Sequence, residues 1–171
     1  MKIALILVAA LFVVVGLVLL IGALLPRQHQ ATREIMLHRS PQEIYSVSRD
    51  FGAAASWRPN LLRVELLETV NGFVRFREVS KDGSVTYEVV EDIPGEKLVT
   101  RIVDRDLGYS GSWRYEFSPA GSGTRIRITE DGEVSNILFR FLSRFVFGHT
   151  INLDGYLLAL GAKFGEKITP K

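Results

Sequence analysis

The sequence predicts an α+β domain behind one apolar N-terminal helix, with a curved antiparallel sheet wrapped on a long C-terminal helix. Three observations predict it. Residues 3–25, "IALILVAALFVVVGLVLLIGALL", contain no charged or strongly polar side chain. Residues 61–130 break into short runs of strand character separated by turn signals. From residue 135 to about 166, apolar side chains recur at helical spacing.

The first element is long enough to cross a bilayer. At about 1.5 Å per residue it reaches roughly 34 Å, against a hydrocarbon core of about 30 Å. A cleaved signal peptide would carry an apolar run of about 7–15 residues before a small-x-small site. Here the run is longer, and "GALLPRQHQA" makes a poor site. The expectation is a retained single-pass transmembrane anchor over 3–25. Lys2 and the amino terminus compete with Arg27, Arg33 and Arg39 for the positive side, which leaves the orientation open. Pro26 ends the helix, and "PRQHQAT", 26–32, reads as a polar linker.

A single folded domain is expected over 33–168. "REIMLHR" alternates as a strand with Ile35 and Leu37 on one face. In "SPQEIYSVSRDF", Ser40, Pro41 and Glu43 make a capping-box signature for a short helix, and "AAASW" continues as a second one that stops before Pro59. Six strands follow. Asn71-Gly72, "KDG" at 81–83, "IPGE" at 93–96 and "PAGSG" supply hairpin turns between them. Alternation is clearest in the last pair, where Trp113, Tyr115 and Phe117 share one face and Ile126 and Ile128 oppose Arg125 and Arg127. Such a sheet has one buried and one wet face and needs a cover.

The long element from 135 to about 166 is the cover that remains. Within it "NILFRFLSRFVFGH", 136–149, holds four of the ten phenylalanines. On a helical wheel Leu138, Phe141, Leu142, Phe145, Val146, Leu153, Tyr156, Leu157, Leu160 and Phe164 fall in one arc, opposite Arg140 and Arg144. Phe147, Ile151 and Leu158 project away from that arc, and Gly148 and Gly155 are positions where the helical phase can break. In phase, the patch offers contact with a bilayer or a partner, with the two arginines placed for headgroup phosphates.

Composition excludes several classes of function. All but one of the 21 Lys and Arg residues lie after residue 26, against 19 Asp and Glu, so nothing points to nucleic acid. There is no cysteine, which removes disulfides and thiolate chemistry. His29, His38 and His149 are dispersed, with no metal-ligand spacing, and neither a phosphate loop nor a GxSxG elbow occurs. No cofactor or metal is expected.

Strand, two short helices, six-strand meander and long helix together make the helix-grip (START/Bet v 1-like) arrangement. The stretches "SPQEIYSVSRDFGAAASWRPNLLRVELL" (40–67), "GYSGSWRYEFSPAGSGTRIRITEDGEVSN" (108–136) and "LFRFLSRFVFGHTINLDGYLLALGAKFGE" (138–166) resemble the SRPBCC (START-like) superfamily, in its polyketide cyclase/dehydrase-like branch. Trp57-x-Pro59 and Gly111-x-Trp113 are the most recognisable parts. The resemblance implies an apolar cavity between the sheet's inner face and the C-terminal helix. It carries fold more than function, because the superfamily includes carriers, receptors and cyclases.

Candidate ligand-lining residues follow from that cavity. Trp57, Tyr87, Trp113 and Tyr115 are inward aromatics that serve either as packing or as cavity wall, with tyrosine hydroxyls to orient a guest. Phe141, Phe145 and Leu153 contribute from the helix. His149 falls in its apolar arc, where a satisfied core histidine is the ordinary reading and a polar contact or acid/base the functional one. Glu78 and Glu130 share parity with the apolar faces, although exposure at the sheet margin is the more ordinary reading. Arg75, Arg77, Arg125 and Arg127 read as the solvated outer face.

No catalytic residue can be named from these patterns. The leading expectation is a membrane-tethered module that binds a hydrophobic or amphipathic small molecule, a lipid among the candidates. The alternatives are a cyclase/dehydratase-like enzyme using His149, a tyrosine or Glu130 as acid/base, and an interaction protein with a filled cavity. Oligomeric state is not readable.

Overall fold

The computed structural model describes residues 2–171. Helix α1 (Lys2–Leu24) is apolar on all sides and almost wholly exposed; Gly22 is its one buried residue. Strand β1 (Gln28–Leu37) begins three residues after α1 ends. The expected linker therefore shrinks: residues 28–32 are the first half of β1, paired antiparallel with the last strand from Gln28↔Glu133 onward. Polar residues alternate there with His29 and Ala31, whose inward parity "PRQHQAT" did not advertise.

Helix α2 (Pro41–Arg49) starts at the expected capping box. Ser40 Oγ accepts from the Glu43 amide at 3.3 Å, and the Glu43 carboxylate accepts from the Ser40 amide at 2.9 Å. Such caps contribute about 1 kcal/mol. A single 3₁₀ turn (Ala54–Ser56) then leads past Trp57 to the meander: β2 (Leu61–Val70), β3 (Phe73–Ser80), β4 (Gly83–Ile93), β5 (Lys97–Ile102), β6 (Tyr109–Ala120) and β7 (Gly123–Val134). Asn71 and Gly72 both take positive φ, 53° and 82°, as a tight hairpin turn between twisted strands requires. The sheet order is β1-β7-β6-β5-β4-β3-β2, so β1 closes onto the last strand rather than the next one. This is the helix-grip fold.

The inner face gathers Ile35, Leu37, Phe76, Leu98, Phe117, Ile126 and Ile128, with Trp113 and Tyr115 in the same alternation. The outer face is polar, and there Arg127 holds Glu34 at 2.9 Å. Glu88, buried on that side, accepts from Arg75 and Arg101.

The C-terminal cover differs from the single long helix expected. It is α3 (Ile137–Leu142), a π-helical turn (Ser143–Phe147), a break at Gly148 (φ 76°), and α4 (Ile151–Lys163). The break resets the helical phase. Leu153, Tyr156, Leu157 and Leu160 of α4 are buried against the sheet, whereas Leu138, Phe145 and Val146, expected on the same arc, are exposed. The expected patch residues Phe147, Ile151 and Leu158 are exposed as well. Past α4 the chain turns back, and Lys171 pairs with Glu34 through two backbone hydrogen bonds at the edge of β1.

The phase of α4 is open to a paired test. Leu157 is fully buried and Leu158 is 49% exposed. Leu157→Ala should lower the unfolding free energy by about 2–5 kcal/mol, while Leu158→Ala should change it by less than about 0.5 kcal/mol, both read from denaturant unfolding in detergent. Equal effects would refute the phase.

Candidate functional site

Two strands, α4 and the 3₁₀ turn bring aromatic side chains to one interior. Tyr87 comes from β4, Trp113 and Tyr115 from β6, Tyr156 from α4, and Trp57 from the end of the 3₁₀ turn. Tyr156 is the hub. Its ring centroid lies 5.4 Å from Trp57, 5.3 Å from Tyr115 and 6.3 Å from Trp113, the first and last contacts edge-on. Tyr156 thus occupies the space between sheet and helix, and a guest entering there must displace a ring. Leu153, fully buried one turn earlier on α4, belongs to the core beneath them.

An ion pair stands inside this aromatic group. Arg58 donates both of its terminal nitrogens to the two oxygens of Glu78, one contact at 3.0 Å and the other shorter, and its guanidinium lies 5.2 Å from the Tyr156 ring centroid. Glu78 faces inward on β3, as its parity allowed, and not outward at the margin. The two side chains are only 12% and 14% exposed. Burial pushes the Tyr156 hydroxyl up to about 12 and holds Tyr87 and Tyr115 above the ordinary tyrosine value. All three are therefore neutral donors at physiological pH. Trp57 Nε1 is buried without a hydrogen-bond partner.

A second polar group forms where β1, β7 and the Gly148 break meet. His29 Nε2 lies 3.2 Å from Glu130 Oε1, and the His29 and His149 rings stack at 4.1 Å. Gly132, directly across from His29, makes the room, since a side chain there would overlap the imidazole. Glu130 also faces inward, opposite Trp113 in the β6–β7 register, which makes the two polar groups neighbours. Burial raises the Glu130 carboxyl, against the opposing pull of His29; its Oε2 has no partner that meets hydrogen-bond geometry. Burial lowers His149, and the charges of His29 and Arg144 add to that.

Of the eight residues expected to line a site, Trp57, Tyr87, Trp113 and Tyr115 share the aromatic interior, Leu153 lies under it, and His149 stands at the rim. Phe141 and Phe145 do not join them. They pack on each other at 5.0 Å, Phe141 from α3 and Phe145 from the π-helical turn, where Phe145 is 59% exposed. Arg58 and His29 were not singled out from the sequence. Arg58 sits inside the recognisable Trp57-x-Pro59 motif, where it was legible; His29 lay in the supposed linker. Open clefts lie outside the aromatic interior: one of about 520 Å³ between Arg75, Arg101 and Tyr109, another of about 790 Å³ beside Pro41 and Pro94, and a third of about 550 Å³ lined by His29 and Gly132.

Solved structures share this architecture. The di-domain ARO/CYC StfQ from the steffimycin biosynthetic pathway matches with a TM-score of 0.65 and 15% identity, over 79% of this chain but 50% of its own length. The Zhui aromatase/cyclase from Streptomyces sp. R1128 matches at 0.63 and 15% identity, covering 80% of this chain and 93% of that one. A START superfamily protein from Mycobacterium smegmatis matches at 0.60 and 19% identity, covering 79% and 96%. At these identities the likeness shows the fold. No curated protein matches the sequence. The profile of one family spans residues 28–152, from the first residue of β1 into the first turn of α4. With the whole β1–β7 sheet and most of the aromatic interior inside that span, and with a START-like fold, the chain belongs to the polyketide cyclase / dehydrase and lipid transport family.

Proposed function

We propose that this protein is a membrane-anchored module that binds a hydrophobic or amphipathic small molecule, of lipid class, between the inner face of the sheet and α4. The observation that carries the reading is the Arg58–Glu78 pair held inside an aromatic interior. Taking both charges out of water costs several kcal/mol, and an apolar pair of similar volume would serve a filled core as well or better. Placed among the neutral hydroxyls of Tyr87, Tyr115 and Tyr156 and the unpartnered Trp57 indole, the pair is suited instead to receive the polar end of a guest while the rings enclose its apolar part. The lipid transport in the family's description supports the same direction.

The anchor reading rests on α1. It is 23 residues long with a hydropathy of 3.4, and nothing in its apolar window is buried, unlike a core helix. Its last turn packs against α3, which supports reading it as a helix retained with the domain.

A double variant tests the site. Arg58→Ala alone would strand Glu78 and cost about 3–5 kcal/mol, which confounds binding with folding. Arg58→Met with Glu78→Leu keeps the volume and removes both charges. Stability should stay within about 1–2 kcal/mol of wild type, and lipid co-purifying with the full chain, read by native mass spectrometry, should fall about tenfold or more. Undiminished lipid would remove the pair from the site.

A second reading, a cyclase- or dehydratase-like enzyme, is favoured by one observation: His29, Glu130 and His149 converge. Glu130 and His149 each contact His29, and a raised carboxyl with a lowered imidazole narrows the gap between acid and base, as proton transfer on an enolisable guest requires. The aromatase/cyclase relatives point the same way. By NMR titration, His149 should titrate below the ordinary histidine value of about 6.5, and His29→Gln should move it upward by removing a neighbouring positive charge. An ordinary His149 indifferent to His29→Gln would end the acid–base reading.

A further inference from the structure

We propose that the segment Ile137–Phe147 is seated in the bilayer interface, as a second membrane contact beside α1; this rests on the reading that α1 spans the membrane. Six side chains in this stretch, Ile137, Leu138, Phe139, Phe145, Val146 and Phe147, are exposed by between 39% and 60%. Scattered apolar side chains on a surface are ordinary, but a cluster within one short segment marks an interaction site.

The bilayer is the occupant because the patch is continuous with α1. Gly22 is the joint. It is buried on a helix otherwise bare, and a Cβ at that position would collide with the carbonyl oxygen of Ile137. Arg140, 7% exposed, locks the contact by donating to the carbonyls of Leu25 and Ser135, both at 3.1 Å. Leu25 would otherwise leave one of the unsatisfied carbonyls of a helix end. The Val134 amide adds a hydrogen bond to the Arg27 carbonyl at 2.8 Å.

Position along α1 then sets depth. The apolar run ends at Leu25, and Gly22 lies three residues inside it, about 4.5 Å at 1.5 Å per residue. Ile137 therefore meets the helix where the hydrocarbon ends and not out in water. The charges agree with that depth. Arg140 is consumed by backbone carbonyls, whereas Arg27 and Arg144 are exposed, where they reach headgroup phosphates. Helical and π-helical turns keep the segment's backbone hydrogen-bonded, as an apolar boundary demands. His149, two residues past Phe147, is then held beside the headgroups, and the His29–Glu130 rim with it.

The chain contains no cysteine, so single-cysteine fluorophores can report depth in the full-length protein. Phe12→Cys probes the middle of α1, Phe145→Cys the segment, and Leu66→Cys an apolar residue of β2 that is 65% exposed. The protein is placed in vesicles of phosphatidylcholine and phosphatidylglycerol with brominated acyl chains. Phe12 and Phe145 probes should be quenched about twofold or more beyond the Leu66 probe, with Phe145 answering best to bromines near the headgroup. Quenching at Phe12 with Phe145 matching Leu66 would overturn the inference and leave the span intact. A Phe145 probe shielded from water but untouched by brominated lipid would give the surface to a second copy or a protein partner, and also overturn it. An unquenched Phe12 probe would remove the span itself and the inference with it.

Discussion

The sheet is longer than its cover, and most of what is distinctive here follows from that mismatch. β6 and β7 each have 12 residues, roughly 40 Å of strand, while α4 has 13, roughly 20 Å of helix. Even laid along a strand, α4 reaches over only about half of that strand's length. Under it the packing is ordinary: Leu153, Leu157 and Leu160 against Ile126, Ile128 and Leu98, all buried. Beyond it the inner face must be closed by something else. Ile44 and Tyr45 of α2 close part of it, and Trp57, Arg58 and His149 close the rest and bring polar groups with them.

Incomplete cover explains why charged and aromatic groups share the interior. Arg58 satisfies Glu78 through two hydrogen bonds and lies against the Tyr156 ring, so neither charge is left bare. Glu130 is less well served, with one oxygen on His29 and the other without a partner. The two groups differ accordingly. The first is a closed electrostatic unit suited to orienting a guest; the second is an unfinished one suited to exchanging a proton. Trp113, opposite Glu130 in register and within ring contact of Tyr156, connects them.

Much of the fold was legible because strands and turns write themselves locally. Asn71-Gly72, the Ser40–Glu43 box and the alternation of Trp113, Tyr115 and Phe117 each specify geometry within a few residues. Glu78 and Glu130 had the inward parity that the structure realises, but parity alone does not name a partner, and the margin is the cheaper place for a lone carboxylate. Arg58 and His29, the missing partners, come from distant segments. The C-terminal region misled for the opposite reason. Its apolar spacing continues across Gly148, so a wheel carries one phase through 135–166, although the backbone turns there and Phe145 and Val146 lose the sheet. Gly148 marked a place where the helix could be cut, but local pattern does not show that its first half is handed to another partner.

That partner is α1, and the geometry of the handover bears on what kind of tether the proposed anchor would be. Only Leu25, Pro26 and Arg27 separate α1 from β1, and hydrogen bonds from Arg140 and Val134 fasten Leu25 and Arg27 to the domain. A long flexible linker would let a binding domain sample solution at a distance set by its length. Here that freedom is removed at the first residue outside the helix. On the anchored reading, the domain cannot turn its rim away from the membrane without breaking the Gly22–Ile137 contact, so any guest must arrive at a site whose orientation to the bilayer is set. If the proposed site and anchor both hold, a rigid joint of this kind favours a molecule already dissolved in the membrane over one carried in water, in keeping with an interior built of aromatic rings.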